Sequence, residues 1–350
     1  MKIVILGDLH FGARKNSQYF LDYLIEVTDE IIQYCVDNGI SNIIQLGDLF
    51  DSRKEINFFI LNEIETRFFN KLRQNKIIFH SLIGNHDVFY KNTNKIANSK
   101  MTINEDEYIK IYDSITTLEF NGKQIDLIPW ITQENEADTI DFINQTDSNI
   151  CCGHFEITNW EFMKGIKTQH GIDANFFNNY DYVFSGHYHS QSYNKNIYYI
   201  GTPYQITWND IHTKKRFIVY DTETNKFKNV NIDNEKFIVI TQSKFDEYDL
   251  DKIVPNAHIR LEMDQDFKES TKLMYEINIR NPVSVELVYV SLNVFEELKK
   301  EKELAKQIEQ SQNQNQSFNE MIFGVIDTIE MDDSINRNEI KNMIKGYIEG

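Results

Sequence analysis

The chain has 350 residues, with 36 Lys and Arg against 54 Asp and Glu, a net charge of −18 and 41% hydrophobic residues. That length suits about two domains with a sizeable core, and no run approaches the ~20 apolar residues of a membrane span. The acidic balance leaves no strong footprint for binding polyanions by charge alone; residues 241–350 alone carry 13 Lys and Arg against 22 Asp and Glu. Three cysteines, Cys35, Cys151 and Cys152, offer no Cys-x-x-Cys spacing for a metal. The adjacent pair reads as small hydrophobes on a strand, which suits a reducing, cytoplasmic setting. Met1-Lys2 runs straight into a strand, so no signal peptide is expected.

In chain order, residues 2–6 read as a strand and 18–37 as an amphipathic helix burying Phe20, Leu21, Leu24, Ile25, Ile31, Ile32 and Cys35. Asn38-Gly39 ends that helix. A strand over 42–46, a helix over about 57–74 and a strand over 77–83 follow. Residues 91–107 are polar and read as a loop. Strands near 115–120 and 123–128 are joined by Asn121-Gly122, a strong hairpin signal. A helix near 134–145 returns to a strand at 149–152, and another strand ends at Ser185. The pattern then becomes a β-meander over 190–194, 197–200, 216–220 and 226–232. A smaller module has strands at 236–241, 258–263 and 283–291 around a helix at 266–280. From Val294 the composition turns to charged helix (295–310), a Gln/Asn-rich linker (312–316) and further helices near 319–330 and 336–348.

Five short segments at strand-to-loop junctions end in metal-ligand residues. They are Asp8-Leu9-His10, Gly47-Asp48-Leu49-Phe50-Asp51, Gly84-Asn85-His86-Asp87, Gly153-His154 and Gly186-His187-Tyr188-His189. Most follow an apolar, β-prone run, the signature of buried parallel strands, and open α/β sheets place their chemistry just past such strands. One Gly-His pair means little, and Gly-Asn-His-Asp alone reads equally well as a turn. Five of the nine histidines fall in these segments, however. Carboxylate, imidazole and amide oxygen together suit divalent ions of intermediate hardness. The pattern therefore predicts a two-metal hydrolase. Asp48 is the candidate carboxylate to bridge the two ions.

In this order the five segments resemble the calcineurin-like metallophosphoesterases. Ile128-Pro129-Trp130, Tyr199-Ile200-Gly201-Thr202-Pro203-Tyr204 and the charged tail narrow the resemblance to the SbcD-type DNA double-strand-break repair nucleases, those of T-even phages included. The resemblance implies a four-layer αββα sandwich over 1–233, a small α/β cap that binds DNA over 234–292, and a helical tail over 293–350 for a partner ATPase. One metal would take Asp8, His10, Asp48 and His189, and the other Asp48, Asn85, His154 and His187. Mn²⁺ is the expected ion, with Mg²⁺, Fe²⁺ or Zn²⁺ as alternatives. His86 is expected as general acid or transition-state stabiliser, oriented by Asp51. Asp87 either holds a ligand imidazole or caps a turn, and Arg53 and Lys54 either contact phosphate or are only solvated. Phe155, Trp160 and Phe162 read first as core, with base stacking as the alternative; His80 reads as a core or surface histidine.

The implied activity is exonuclease on DNA ends and endonuclease on single strands, in recombination and repair. The implied partners are DNA, an SMC-like coiled-coil ATPase and a second copy of the chain, with no membrane. The acidic charge favours the rival reading, a stand-alone phosphodiesterase or phosphatase on small nucleotides or phosphoproteins. A non-catalytic scaffold would be expected to have lost some of these ligands.

Overall fold

The computed structural model describes residues 1–163, 166–263 and 267–289. The expected helices and linker of the tail lie outside the described residues. By its contacts the chain divides into a unit of Met1–Leu261 with Leu273–Glu286 and a second of Glu262–Lys272 with Leu287–Gly350.

Alternation along the strands builds the larger unit. In β1 (Lys2–Leu6), Val4 and Leu6 join one apolar cluster while Ile3 and Ile5 join another. Side chains of period two must serve both faces of a buried strand. β1 pairs in parallel with β2 (Asn42–Gln45), β2 with β3 (Ile78–Leu82), and β3 with β4 (Ile109–Tyr112). On one side this sheet meets helix α1 (Gln18–Asp37) and a second helical run, α2, over 58–74, which passes through one π-turn at Glu65–Phe69. Ile25, Ile31, Ile64 and Phe69 bury there against Val4, Ile43 and Phe79.

The second sheet contains β5 (Thr116–Phe120), β6 (Lys123–Ile128), β7 (Ile150–His154) and β8 (Tyr182–Gly186), extended by β9 (Ser192–Asn194) and β10 (Ile197–Tyr199) in the order β9-β10-β8-β7-β6-β5. Leu127, Cys152 and Phe184 face Ile5, Ile44 and Leu82 of the first sheet across the central core. Ile128, Cys151 and Val183 face outward and pack with Ile143 of helix α3 (Glu136–Gln145). The four layers are αββα, as expected. Cys151 and Cys152 are both free and fully buried, one on each face of β7. The Asn121-Gly122 turn has φ of 53° and 78°, the two left-handed residues that join β5 and β6.

Within the expected loop of 91–107, Asn98–Thr102 form a short helix, and two further expectations change. Residues 109–112 form a strand at the edge of the first sheet, where the reading passed from a polar loop to 115; four residues are too few to show a period. The meander is not continuous either. β11 (Arg216–Asp221) and β12 (Lys226–Asn231) leave the second sheet and pair antiparallel in the first, β11 against β1. Strand alternation names the buried faces, but here both sheets offer equally apolar ones: Phe217 and Val219 join the helix-side cluster, and Ile218 and Tyr220 the central core.

A three-stranded sheet follows, β13 (Phe237–Thr241), β14 (His258–Met263) and β15 (Ser284–Tyr289), with helix α4 over Phe267–Asn278. Its first strand is bound to the sandwich: Gln205 Oε1 accepts from the amides of Lys236 and Phe237, and Phe237 packs on Phe20. Among the described residues no helix is long and apolar enough to cross a membrane.

Candidate active site

The loops leaving the carboxyl ends of β1, β2, β3, β7 and β8 converge, and they carry all nine residues singled out as ligands or catalysts. Asp8, His10, Asp48 and His154 are at most 1% exposed, and Asn85 is 7% exposed. Close backbone approach makes this possible. A side chain on Gly84 would place its first carbon 2.2 Å from Asp48 Oδ1, and one on Gly186 would sit 2.4 Å from Asp8 Oδ1. His10, Asp48 and His187 themselves adopt left-handed backbone, with φ of 48°, 54° and 90°. Such conformations cost about 1–3 kcal/mol each and concentrate at functional sites.

His10 Nε2 lies 3.0 Å from His189 Nε2, 3.9 Å from Asp8 Oδ2 and 3.8 Å from Asp48 Oδ2. The Asp8 carboxylate accepts from the His187 amide at 3.1 Å. Asp48 Oδ1 accepts from the His86 amide at 2.7 Å, which leaves Oδ2 turned inward, 3.5 Å from His154 Nε2. Asn85 Oδ1 lies 2.9 Å from His154 Nε2 and 2.8 Å from His187 Nδ1. Two three-residue groups, Asp8–His10–His189 and Asp8–Asp48–His154, each bring ligand atoms within 4.8 Å of one another; His10–Asp51–His86 forms a third.

The donor set fits a cation. His154 Nδ1 donates to the Leu46 carbonyl at 2.7 Å, which fixes the proton on Nδ1 and leaves a lone pair on Nε2. That lone pair meets Asn85 Oδ1 and Asp48 Oδ2, both acceptors. Three acceptors facing one point find no mutual hydrogen bond, and a positive ion would satisfy them all. Protonation states agree. Burial pushes His154 down to about 3, His187 to about 2 and His189 to about 4, and holds His10 well below its usual value. These imidazoles are neutral at physiological pH, the form in which an imidazole can bind a metal. Burial, reinforced by the Asp48 charge, raises Asp8 well above the carboxylate range, and burial raises Asp48 to about 6.

Asp51 differs from expectation in how it meets His86. His86 Nδ1 donates to the main-chain oxygen of Asp51 at 2.6 Å, and the Asp51 carboxylate turns to His10 Nδ1 at 3.5 Å. Asp87 touches no imidazole. Fully buried, it accepts from the amides of Gly84, Leu49 and Phe50 and so ties the Asp48 loop to the Asn85 loop. Arg53 is near enough for its charge to act on Asp48 and His187, whereas Lys54 is exposed. Phe155 and Trp160 are core residues packed on Phe177 and Tyr199. His80 is held in the sheet between Tyr112 and Asn42.

Two neighbours of the site escaped the sequence reading. The Trp130 ring lies 5.3 Å from the His187 ring and 5.8 Å from that of His154, which restrains both. Its signal in the sequence is Ile128-Pro129-Trp130 at a strand end, which by itself assigns the ring no role. Lys215 reaches the His189 carbonyl from behind, and one lysine within the run Lys214-Lys215-Arg216 before a strand gives no signal.

An αββα sandwich with a buried cluster of Asp, His and Asn at its strand ends defines a metallophosphoesterase. Residues 1–191, more than half of the chain, match the calcineurin-like phosphoesterases, and the chain belongs to that family. It is 36% identical over 226 residues to exonuclease subunit 1 of Enterobacteria phage T4, covering 65% of this chain and 66% of that protein. The chain thus spans just under two thirds of the phage relative. It is also 24% identical over 324 residues to the DNA double-strand break repair protein Mre11 of Nanoarchaeum equitans, covering 83% of this chain and 84% of that protein. A solved archaeal phosphodiesterase aligns over 66% of this chain and 100% of its own at 15% identity, but with a TM-score of 0.35 it is too distant to bear on function.

Proposed function

We propose that the chain is a two-metal DNA nuclease of the SbcD type, cutting DNA ends and single strands in recombination and repair. The observation that carries this reading is the convergence of His154 Nε2, Asn85 Oδ1 and Asp48 Oδ2, a set of lone pairs that a bound cation would satisfy together. The exonuclease and double-strand-break relatives support DNA as the substrate. Asp8, His10, Asp48 and His189 would hold one ion and Asp48, Asn85, His154 and His187 the other, with Mn²⁺ the expected metal. Such a pair supplies Lewis acidity and charge neutralisation for in-line displacement at phosphorus.

The chain's own residues do the rest. With its Nδ1 committed to Asp51, His86 has Nε2 free to give a proton to the departing oxygen. Asp87 holds the two ligand loops in register, and Trp130 keeps the His154 and His187 rings from turning. Arg53 adds positive charge where phosphate would lie.

The reading extends to partners. Residues 234–292 serve as a cap toward DNA, and 293–350 as a tail for an SMC-like coiled-coil ATPase that supplies grip the acidic chain lacks. A homodimer is supported by exposed apolar side chains flanking the second and third motifs, Phe58 and Phe59 on one side and Phe89 and Met101 on the other. Three free, buried cysteines suit work in a reducing cytoplasm. The net charge of −18 favours the rival, a phosphoesterase for small substrates. Assays with Mn²⁺ on linear duplex DNA, single-stranded DNA and bis(p-nitrophenyl) phosphate decide. Cleavage of DNA is expected; turnover of the small ester with intact DNA would favour the rival.

A further inference from the structure

Beside the metal-ligand cluster lies a cavity of about 420 Å³, within the size range of small-ligand sites. Its floor is the pairing of Phe11 with Phe50, where Phe11 N donates to Leu49 O at 2.8 Å and Asp51 N to Phe11 O at 3.0 Å. These are the loops that carry His10 and Asp48, so the cavity opens one residue from His10 and two from Asp48. Phe11, Phe50 and Ile60 give it apolar walls, while Lys15 and Asn16 place an ammonium and an amide, and Asp51 and Glu55 two carboxylates, around it.

The Lys15 side of the cavity is built at a cost. Arg14, Lys15 and Asn16 are three consecutive residues in left-handed backbone, with φ of 55°, 61° and 59°. Each non-glycine residue there costs roughly 1–2 kcal/mol. The turn is pinned by Arg14 Nε on the Ile206 carbonyl at 2.9 Å and by Asn16 N on Gly12 O at 2.8 Å. Arg14 also lies close enough for its charge to act on Asp51. In a chain of net charge −18, Lys15 in the lining and Arg14 beside Asp51 thus offset the carboxylates of Asp51 and Glu55 around the cavity.

We propose that this cavity is a subsite for one unpaired nucleobase of the strand being cut, next to the phosphate held at the metal centre. A base is flat and apolar on its faces and carries donors and acceptors on its edge; the cavity offers apolar walls and a polar rim in that arrangement. A base still paired in a duplex cannot enter, so the subsite selects single strands and frayed ends. The inference rests on the nuclease reading.

The test uses the full chain with Mn²⁺ and a single-stranded oligonucleotide carrying one abasic nucleotide, moved stepwise past the cleavage site. Beside it run the normal oligonucleotide and bis(p-nitrophenyl) phosphate. At one position the missing base is expected to slow cleavage roughly tenfold, the scale of one base contact in single-strand binders. Ile60→Trp, which fills the cavity, should slow cleavage of the normal strand similarly, lose sensitivity to the abasic position and leave the ester rate unchanged. Lys15→Ala, at an exposed position, should weaken the abasic effect and serves if the tryptophan disturbs folding. An abasic scan flat at every position while the wild type cuts DNA overturns the subsite and leaves the nuclease reading standing. Ester turnover without any DNA cleavage overturns both.

Discussion

Lys215 Nζ sits 2.6 Å from Asp210 Oδ1, with both side chains 3% exposed. The same ammonium donates to the His189 carbonyl at 3.2 Å and to Thr202 Oγ1 at 2.8 Å. Asp210 in turn accepts from the amides of Ile206 and Thr207. The pair therefore fastens the crossover between the two sheets to a residue proposed to bind metal. Removing one partner of a buried pair typically costs about 3–5 kcal/mol, because the other charge is left without relief. Lys215→Met should lower the melting temperature markedly and weaken Mn²⁺ binding. Lys215→Met combined with Asp210→Asn should recover part of the stability and little of the metal affinity. A single variant that melts and binds like wild type would contradict this linkage.

His86 allows chemistry to be separated from binding. Its side chain touches the Asp51 carbonyl and faces the cluster without closing it. His86→Ala should keep the fold and the bound metal while turnover falls by about 10²–10⁴-fold, the usual contribution of a general acid. Rates of DNA cleavage at saturating Mn²⁺, with metal content measured in parallel, check this. A near-normal rate would show that water or another group protonates the departing oxygen.

Metal binding should depend on pH with a definite sign. His154 and His187, pushed to about 3 and 2, are already neutral at pH 5 and release no proton. Asp48 is raised to about 6, so its carboxyl gains a proton as pH falls through that value, and Asp8 is shifted in the same direction by burial and the Asp48 charge. Ligands must be deprotonated to bind. Mn²⁺ affinity should therefore rise between pH 5.5 and 7.5, by up to about tenfold per pH unit below each pKa for each proton displaced. Calorimetric titration in buffers of different ionisation enthalpy would count those protons. An affinity that is flat or falls over this range would contradict the assignment.

Much of this architecture was legible in the residues, for a physical reason. Ligands at the ends of buried parallel strands must follow apolar runs, and Ile3–Leu6 before Asp8 or Ile43–Leu46 before Asp48 cannot be disguised. What stayed hidden depends on three dimensions. Strand alternation shows that 216–221 is buried on both faces, but not which sheet receives it. Residues 109–112 are too short to show a period. Asp51 could be named, but whether its carboxylate or its carbonyl meets His86 is set by the turn it occupies. The left-handed backbone at His10, Asp48 and His187 leaves no trace, because none of them is glycine. Lys215 was hidden as an ordinary charge in an ordinary loop.

The central claim is that two divalent ions share this cluster through Asp48. The most direct measurement is metal content and stoichiometry by elemental analysis and Mn²⁺ titration, for the wild type and for Asp48→Ala. The wild type should bind two ions per chain, and the variant, having lost the carboxylate whose Oδ2 lies between His10 Nε2 at 3.8 Å and His154 Nε2 at 3.5 Å, should hold neither tightly and cut no DNA. Two tightly bound ions in Asp48→Ala, or a wild type that takes up no metal, would contradict the account.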